Sequence, residues 1–187
     1  SAVAADESLD VLLQQAMNGT KTPAVAALVI RDGKVAEQAV HGVRRSDGND
    51  VATLKDTWLL GSTTKPITAA LIAKLVESGL LSWDAPLEKM LPELASTMHP
   101  DYRKITLQHL LSHTSGLPEN LRDLAALDIY FTDSRPLREQ RLSYIEAALK
   151  DAPAVPPGTK FSYCNTGFLI AAVIAERASK TDFEVLM

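Results

Sequence analysis

Cysteine is nearly absent from this 187-residue sequence: Cys164 stands alone, so no disulfide can close within the chain and the redox compartment stays open. Basic excess is absent too. Nineteen Lys and Arg face 23 Asp and Glu, a net charge of −4, which removes the electrostatic footprint of a nucleic-acid binder. No apolar run reaches the length of a bilayer; the longest candidate, residues 167–175, is much too short. Repeats and low-complexity stretches are also missing. What is there, 46% hydrophobic and 22% charged residues, describes a globular protein of one domain or two small ones.

Along the chain, Leu9, Leu12, Leu13, Ala16 and Met17 recur at helical spacing, and Asn18-Gly19 ends that helix. Pro23 opens an extended run, residues 24–30, apolar enough to predict burial on both faces. Asp32-Gly33 is a two-residue hairpin turn, and residues 34–43 return as the partner strand. A polar loop over 44–50 and a short approach through Trp58 follow. Helices then dominate. One starts near Ser62 and stops at Gly79, and a short one closes at Leu91-Pro92. Thr106 caps a helix over 107–111, residues 121–127 are modestly helical, and 135–141 read as a charged loop or helix edge. Residues 143–150 are amphipathic. Pro153, Pro156, Pro157 and Gly158 force an extended loop, Thr166 caps an apolar helix to Ala178, and a last helix opens at Asp182. Helix, hairpin, then helices describes an α+β protein with segregated helices. A hairpin alone is marginal, and an apolar strand over 24–30 needs neighbours that these residues do not supply, so the chain is expected to be an incomplete domain.

The stretch 59–65, Leu-Leu-Gly-Ser-Thr-Thr-Lys, carries the most chemistry. Ser62 lies at or just before the first helical turn, and Lys65, three residues on, projects from the same face. Pro66 fits only at the start of a helix, where its missing N–H is not needed. A serine hydroxyl becomes a nucleophile when a base takes its proton; Lys65 is that base if it is neutral, a state favoured by burial and by the helix dipole. Free N–H groups at the helix start are expected to steady an oxyanion. Set against this, Ser-x-x-Lys is a common tetrapeptide that by itself more often marks a helix cap and a solvated lysine.

Four separated segments change that balance. They are Gly61-Ser62-Thr63-Thr64-Lys65; residues 75–86, LVESGLLSWDAP; residues 105–118, ITLQHLLSHTSGLP; and residues 157–167, PGTKFSYCNTG. Together and in this order they resemble the serine β-lactamase and penicillin-binding-protein superfamily, in the branch of class C β-lactamases, D-alanyl-D-alanine carboxypeptidases, D-aminopeptidases and related esterases. The resemblance runs from about Pro23 onward. It implies the β-lactamase/transpeptidase-like fold: residues 1–60 as the N-terminal helix and hairpin, and 61–187 as the active-site helix and helical subdomain. It implies Ser62 as acyl-accepting nucleophile, Lys65 as its proton acceptor, Tyr163 as the phenol(ate) relaying a proton to the leaving group, and Asn165 as a substrate-binding amide. Tyr163-x-Asn165 stands where the class A cousins carry Ser-Asp-Asn. Ser62, Lys65 and Tyr163 are then one coupled protonic unit.

The resemblance implies no metal and no organic cofactor, and a substrate that is a β-lactam, a D-amino-acid peptide or an ester. The superfamily's third motif, Lys-Thr-Gly or His-x-Gly, does not occur in these residues, so the chain alone is expected to lack one oxyanion donor and a cleft wall, and to be inactive or one part of a split enzyme. A complementary C-terminal polypeptide is the expected macromolecular partner, with neither nucleic acid nor a membrane span. The alternative is a non-catalytic fragment or pseudoenzyme binding peptidoglycan-like ligands. Residues 1–6, with the small side chains of a signal-peptidase junction, and the superfamily's habitat give a periplasmic or secreted expectation. Among other candidates, His109 and His113 are four apart, but Leu110 stands where a zincin carries glutamate, so a structural role at the helix end is preferred for His113. Cys164 reads as packing, Asp84 as turn chemistry, and Trp58 and Trp83 as core or cleft-wall aromatics.

Overall fold

The computed structural model describes residues 8–123, 129–130 and 132–187. The reading of residues 1–6 and most of the expected helix over 121–127 lie outside the described residues. The chain divides into two compact units, one ending at Leu59 and one beginning at Leu60.

In the first unit, helix α1 (Leu9–Met17) is followed by strands β1 (Ala24–Arg31) and β2 (Lys34–Gly42). Ser8 caps α1 by accepting from the Val11 N–H, and the Glu37 carboxylate accepts from Leu9 N–H at 2.7 Å, placing negative charge where the helix dipole favours it. The strands pair antiparallel from Ala24 opposite Gly42 to Arg31 opposite Lys34, with one register shift between Val29 and Ile30. Asp32 and Gly33 both have positive φ, 51° and 72°, which is the primed turn that matches strand twist. The expectation of a doubly buried β1 is corrected. Val25, Ala27 and Val29 are partly covered, whereas Leu28 and Ile30 are 54% and 61% exposed. Among the described residues of this unit α1 packs on the two strands, and the Leu28 and Ile30 side chains are left largely exposed. Beyond β2, Arg44 grips the Asp56 carboxylate with two hydrogen bonds, and Asp56 accepts from Thr53 N–H, so the approach loop is pinned by one side chain.

The second unit is helical: a 3₁₀ turn Gly61–Thr63, then α2 (Thr64–Glu77), α3 (Leu87–Met90), a 3₁₀ turn Pro100–Tyr102, α4 (Leu107–Leu111), α5 (Leu137–Ala148), α6 (Thr166–Ser179) and α7 (Phe183–Leu186). Gly79, φ +77°, stops α2 as its position predicts. α6 is the central element. Its stretch from Ile170 to Glu176 is buried throughout, and it packs on α2, α4 and α5. Ile72 of α2, Leu107 and Leu110 of α4, Ile145 of α5 and Ile170 and Ile174 of α6 meet in one apolar cluster, to which Leu87, Leu91, Tyr102 and Ile105 add the intervening turns. Of the two alternatives for residues 135–141, the helix edge holds from Leu137, and it is continuous with 143–148, because Pro136 sets the entry and the charged side chains there find partners on α6 and α7. One sequence expectation is corrected. Thr166 does not cap α6: it is the first helical residue, and it is the Cys164 sulfur that accepts the Gly167 N–H at 3.2 Å. Glu176, buried on α6, pairs with Arg141 of α5 and accepts from Phe183 N–H of α7, and Arg141 also reaches Glu184. That buried carboxylate ties three helices together.

The loop over 153–162 is held beside residues 113–116. Ala154 N–H donates to Gly116 O, Gly158 N–H to Thr114 O and Ser162 N–H to His113 O, each at 2.8 Å. Gly116 has φ +78°, and a Cβ there would lie 2.3 Å from Val155 O, so both backbone angle and proximity require glycine. Gly116→Ala is expected to lower the unfolding free energy by about 2–4 kcal/mol, read as a drop in urea midpoint at unchanged slope. A midpoint equal to wild type would show that the two segments part freely.

Candidate active site

The site is assembled from two elements of the second unit. The first is the 3₁₀ turn and the start of α2, where Gly61, φ +53°, bends the chain so that Ser62 sits one residue before the helix cap and Lys65 is in the first turn. The 3₁₀ geometry consumes backbone donors: Thr63 N–H bonds Leu60 O at 3.1 Å, and Thr64 N–H bonds Gly61 O. The expectation of free N–H groups at this helix start is therefore corrected for those two residues.

The second element is the stretch 161–168, delivered by the proline-rich loop and anchored as α6 begins. Cys164 N–H donates to His113 Nδ1 at 3.1 Å, Asn165 N–H donates to Glu119 O at 2.9 Å, and the Cys164 thiol donates to Pro118 O. Cys164 is fully buried, and burial pushes its thiol above its ordinary pKa. It packs, as its sequence setting suggested, and also accepts the Gly167 N–H at the start of α6, which the sequence did not mark.

All four expected residues converge. Ser62 Oγ and Tyr163 OH lie 2.7 Å apart although 101 positions separate them. Lys65 Nζ donates to Ser62 Oγ at 3.1 Å and to Asn165 Oδ1 at 2.8 Å. The same ammonium sits 4.8 Å from the Tyr163 ring centroid and 5.6 Å from that of Phe168, so two aromatic faces flank it. Hydrogen bonding to Lys65, foremost, and to Ser62 hold the Tyr163 phenol below its ordinary pKa of 10. Asn165 sits at the inner end of the group: its amide Nδ2 donates to Asn120 Oδ1 at 3.1 Å while its oxygen receives Lys65.

Two contributors are not marked by the sequence. Asn120 orients the Asn165 amide and Phe168 walls Lys65; neither carries a pattern that marks it, since each acts through a neighbour distant in the chain. His113, for which the sequence favours a structural role at the helix end over metal binding, stacks on Tyr163 with centroids 4.6 Å apart and planes at 28°. Here His109 Nδ1 accepts from Thr106 N–H and caps α4, and among the described residues no three metal-binding side chains cluster.

This geometry coincides with a family assignment. Residues 9–187 match the family described as Beta-lactamase. The chain belongs to that family. Among its relatives, esterase EstB of Burkholderia gladioli is 31% identical, over 91% of this chain and 45% of the esterase. The octameric penicillin-binding protein homologue from Pyrococcus abyssi superposes with a TM-score of 0.71 at 29% identity, covering 94% of this chain and 39% of that one. D-alanine carboxypeptidase AmpC from Burkholderia cenocepacia gives a TM-score of 0.68 at 27% identity, over 94% of this chain and 43% of that one. The chain therefore has the α+β β-lactamase/transpeptidase-like fold, and spans less than half the length of each of these proteins.

The depressed phenol is directly measurable. Spectrophotometric titration, with Tyr163→Phe as the reference, is expected to show one tyrosine ionising below the ordinary value of 10, and Lys65→Met is expected to move it back up. An unshifted midpoint in Lys65→Met would remove Lys65 as the cause.

Proposed function

We propose that this chain carries the acylation machinery of a serine hydrolase or acyl transferase that works through a covalent acyl-enzyme on Ser62. One observation carries the reading: the Ser62 hydroxyl is within hydrogen-bond distance of both Lys65 Nζ and Tyr163 OH. In the proposed cycle, Ser62 Oγ attacks the substrate carbonyl carbon and forms the C–O bond. Its proton passes to the Lys65–Tyr163 pair, which acts as one coupled acceptor. The tetrahedral intermediate then expels its amine or alcohol, and the Tyr163 hydroxyl supplies the proton that the leaving group needs. Water, deprotonated by the same pair, then attacks the acyl carbon; the bond from that carbon to Ser62 Oγ breaks, the carboxylic acid leaves, and the pair returns the proton to Oγ.

The local electrostatics support these roles. A phenol held below its usual range exchanges a proton near neutrality more readily than a free tyrosine. Asn165, fixed by Asn120, keeps Lys65 aimed at Oγ through its own oxygen, and in the proposal the same amide lies beside the bound acyl group. The relatives' printed activities, an esterase and a D-alanine carboxypeptidase beside a penicillin-binding protein homologue, support esters, D-amino-acid peptides and β-lactams as the substrate range. Because the chain spans 39–45% of those three proteins, we assign full turnover to these residues extended by, or combined with, a complementary polypeptide that adds the second oxyanion donor and the remaining cleft wall.

Incubation with a fluorescent penicillin or a fluorophosphonate, followed by intact mass measurement, tests the reading. A stoichiometric adduct is expected, lost in Ser62→Ala and formed roughly 10²–10⁴-fold more slowly in Lys65→Met. No adduct, even with the complementary polypeptide supplied, would favour a non-catalytic, peptidoglycan-binding role instead.

A further inference from the structure

Tyr163 is the one member of the Ser62–Lys65–Tyr163 set that is not on a helix, and a single residue holds it from both sides. Ser162 N–H donates to the His113 carbonyl at 2.8 Å, and Cys164 N–H donates to His113 Nδ1 at 3.1 Å. Between these two bonds the Tyr163 ring stacks on the imidazole at 4.6 Å. Phe161 meets the imidazole edge-on at 5.4 Å and Phe168 lies against it at 5.3 Å. His113 has a left-handed φ of +59° at the position just past the end of α4.

A ring nitrogen that accepts a hydrogen bond from an N–H carries no proton itself. Nδ1 is therefore bare, the proton is on Nε2, and the imidazole is neutral. We propose that neutral His113 is a positioning residue for Tyr163, and that its protonation is an acid switch that releases Tyr163 from Ser62. The catalytic meaning of this switch rests on the reading given under Proposed function; the coupling between the two rings does not.

The charge balance around the ring points the same way. Lys65 faces it from α2, and Tyr163 and Cys164 face it from the loop; Phe161 and Phe168 bring no charge, and the carboxylate of Glu119 bears on Tyr163 and Cys164. A second cation beside Lys65 is unfavourable, and a proton on Nδ1 would set one N–H against another. Burial first, then the field of Lys65, hold His113 below its ordinary pKa of 6.5. The sign follows from that. The folded state favours the neutral ring, so the stabilisation is fully present above 6.5 and is lost as pH falls through the lowered folded value.

Nuclear magnetic resonance on the chain carrying ¹⁵N-histidine and ¹³Cζ-tyrosine tests this without any appeal to activity. His113 and Tyr163 signals are assigned with His113→Asn and Tyr163→Phe. The expected result is an Nε2–H tautomer, a His113 midpoint below 6.5, and a Tyr163 signal that shifts with the same midpoint. His113→Asn keeps an acceptor and tolerates the left-handed backbone, so its Tyr163 signal is expected to stay level where histidine titrates. If that variant does not fold, the wild-type titration alone decides. An Nδ1–H tautomer, or a Tyr163 signal indifferent to the His113 titration, overturns the proposal. Co-titration without an adduct on Ser62 would sustain the coupling and overturn only the catalytic reading. If the adduct forms, the wild-type acylation profile is expected to show one more protonation on its acid limb than His113→Asn, a loss of about tenfold per pH unit.

Discussion

Everything in the site depends on the hydrogen-bonded seam between residues 113–119 and residues 154–165. Backbone bonds from Ala154, Gly158, Ser162 and Asn165 to Gly116, Thr114, His113 and Glu119 fix where the proline-rich loop ends, and hence where Tyr163 and Asn165 begin. A loop that long is entropically free unless its backbone groups are satisfied, and here they are satisfied by a second irregular segment rather than by a sheet. Gly116 permits the close approach, and Pro153, Pro156 and Pro157 reduce the freedom the seam has to quench. The seam then hands over to α6, whose buried stretch roots it in the core.

At the centre of the site one cation serves several partners. Lys65 donates to a hydroxyl and an amide oxygen and lies against two aromatic faces, so its head group is oriented without a carboxylate. Lys65 and the Ser62 hydroxyl hold the Tyr163 phenol below its ordinary pKa, so this phenol gives up its proton more readily than a free tyrosine does.

Elsewhere in the second unit, charge is treated differently. Glu176 is buried, but it has Arg141 and the Phe183 N–H as partners, and Arg141 is shared with Glu184. This pairing fixes α5, α6 and α7 in register, while the apolar cluster supplies the burial. The buried Glu176 is thus neutralised inside the helical core, whereas Lys65 beside Ser62 faces neutral oxygens and rings.

The sequence by itself determined the local elements and the residue types of the site. Helical periodicity, Asp32-Gly33, Gly79 and Thr106 located α1, the hairpin, the end of α2 and α4, because each signal acts over a few residues. Ser62 and Lys65 were legible as a pair for the same reason, being one turn apart. Tyr163 and Asn165 were legible only through resemblance, since nothing local to them shows that they meet Ser62. Where burial or capping depended on a distant partner, local reading failed: the Leu28 and Ile30 side of β1 is largely exposed, α5 begins well before its buried residues Tyr144, Ile145 and Ala148, and a buried sulfur takes the capping role expected of Thr166. Only the tertiary structure decided that His113 stacks on Tyr163 and that Asn120 orients Asn165. Those contacts join segments tens of residues apart, and the hydrogen bonds and packing that create them have no periodic trace in the chain.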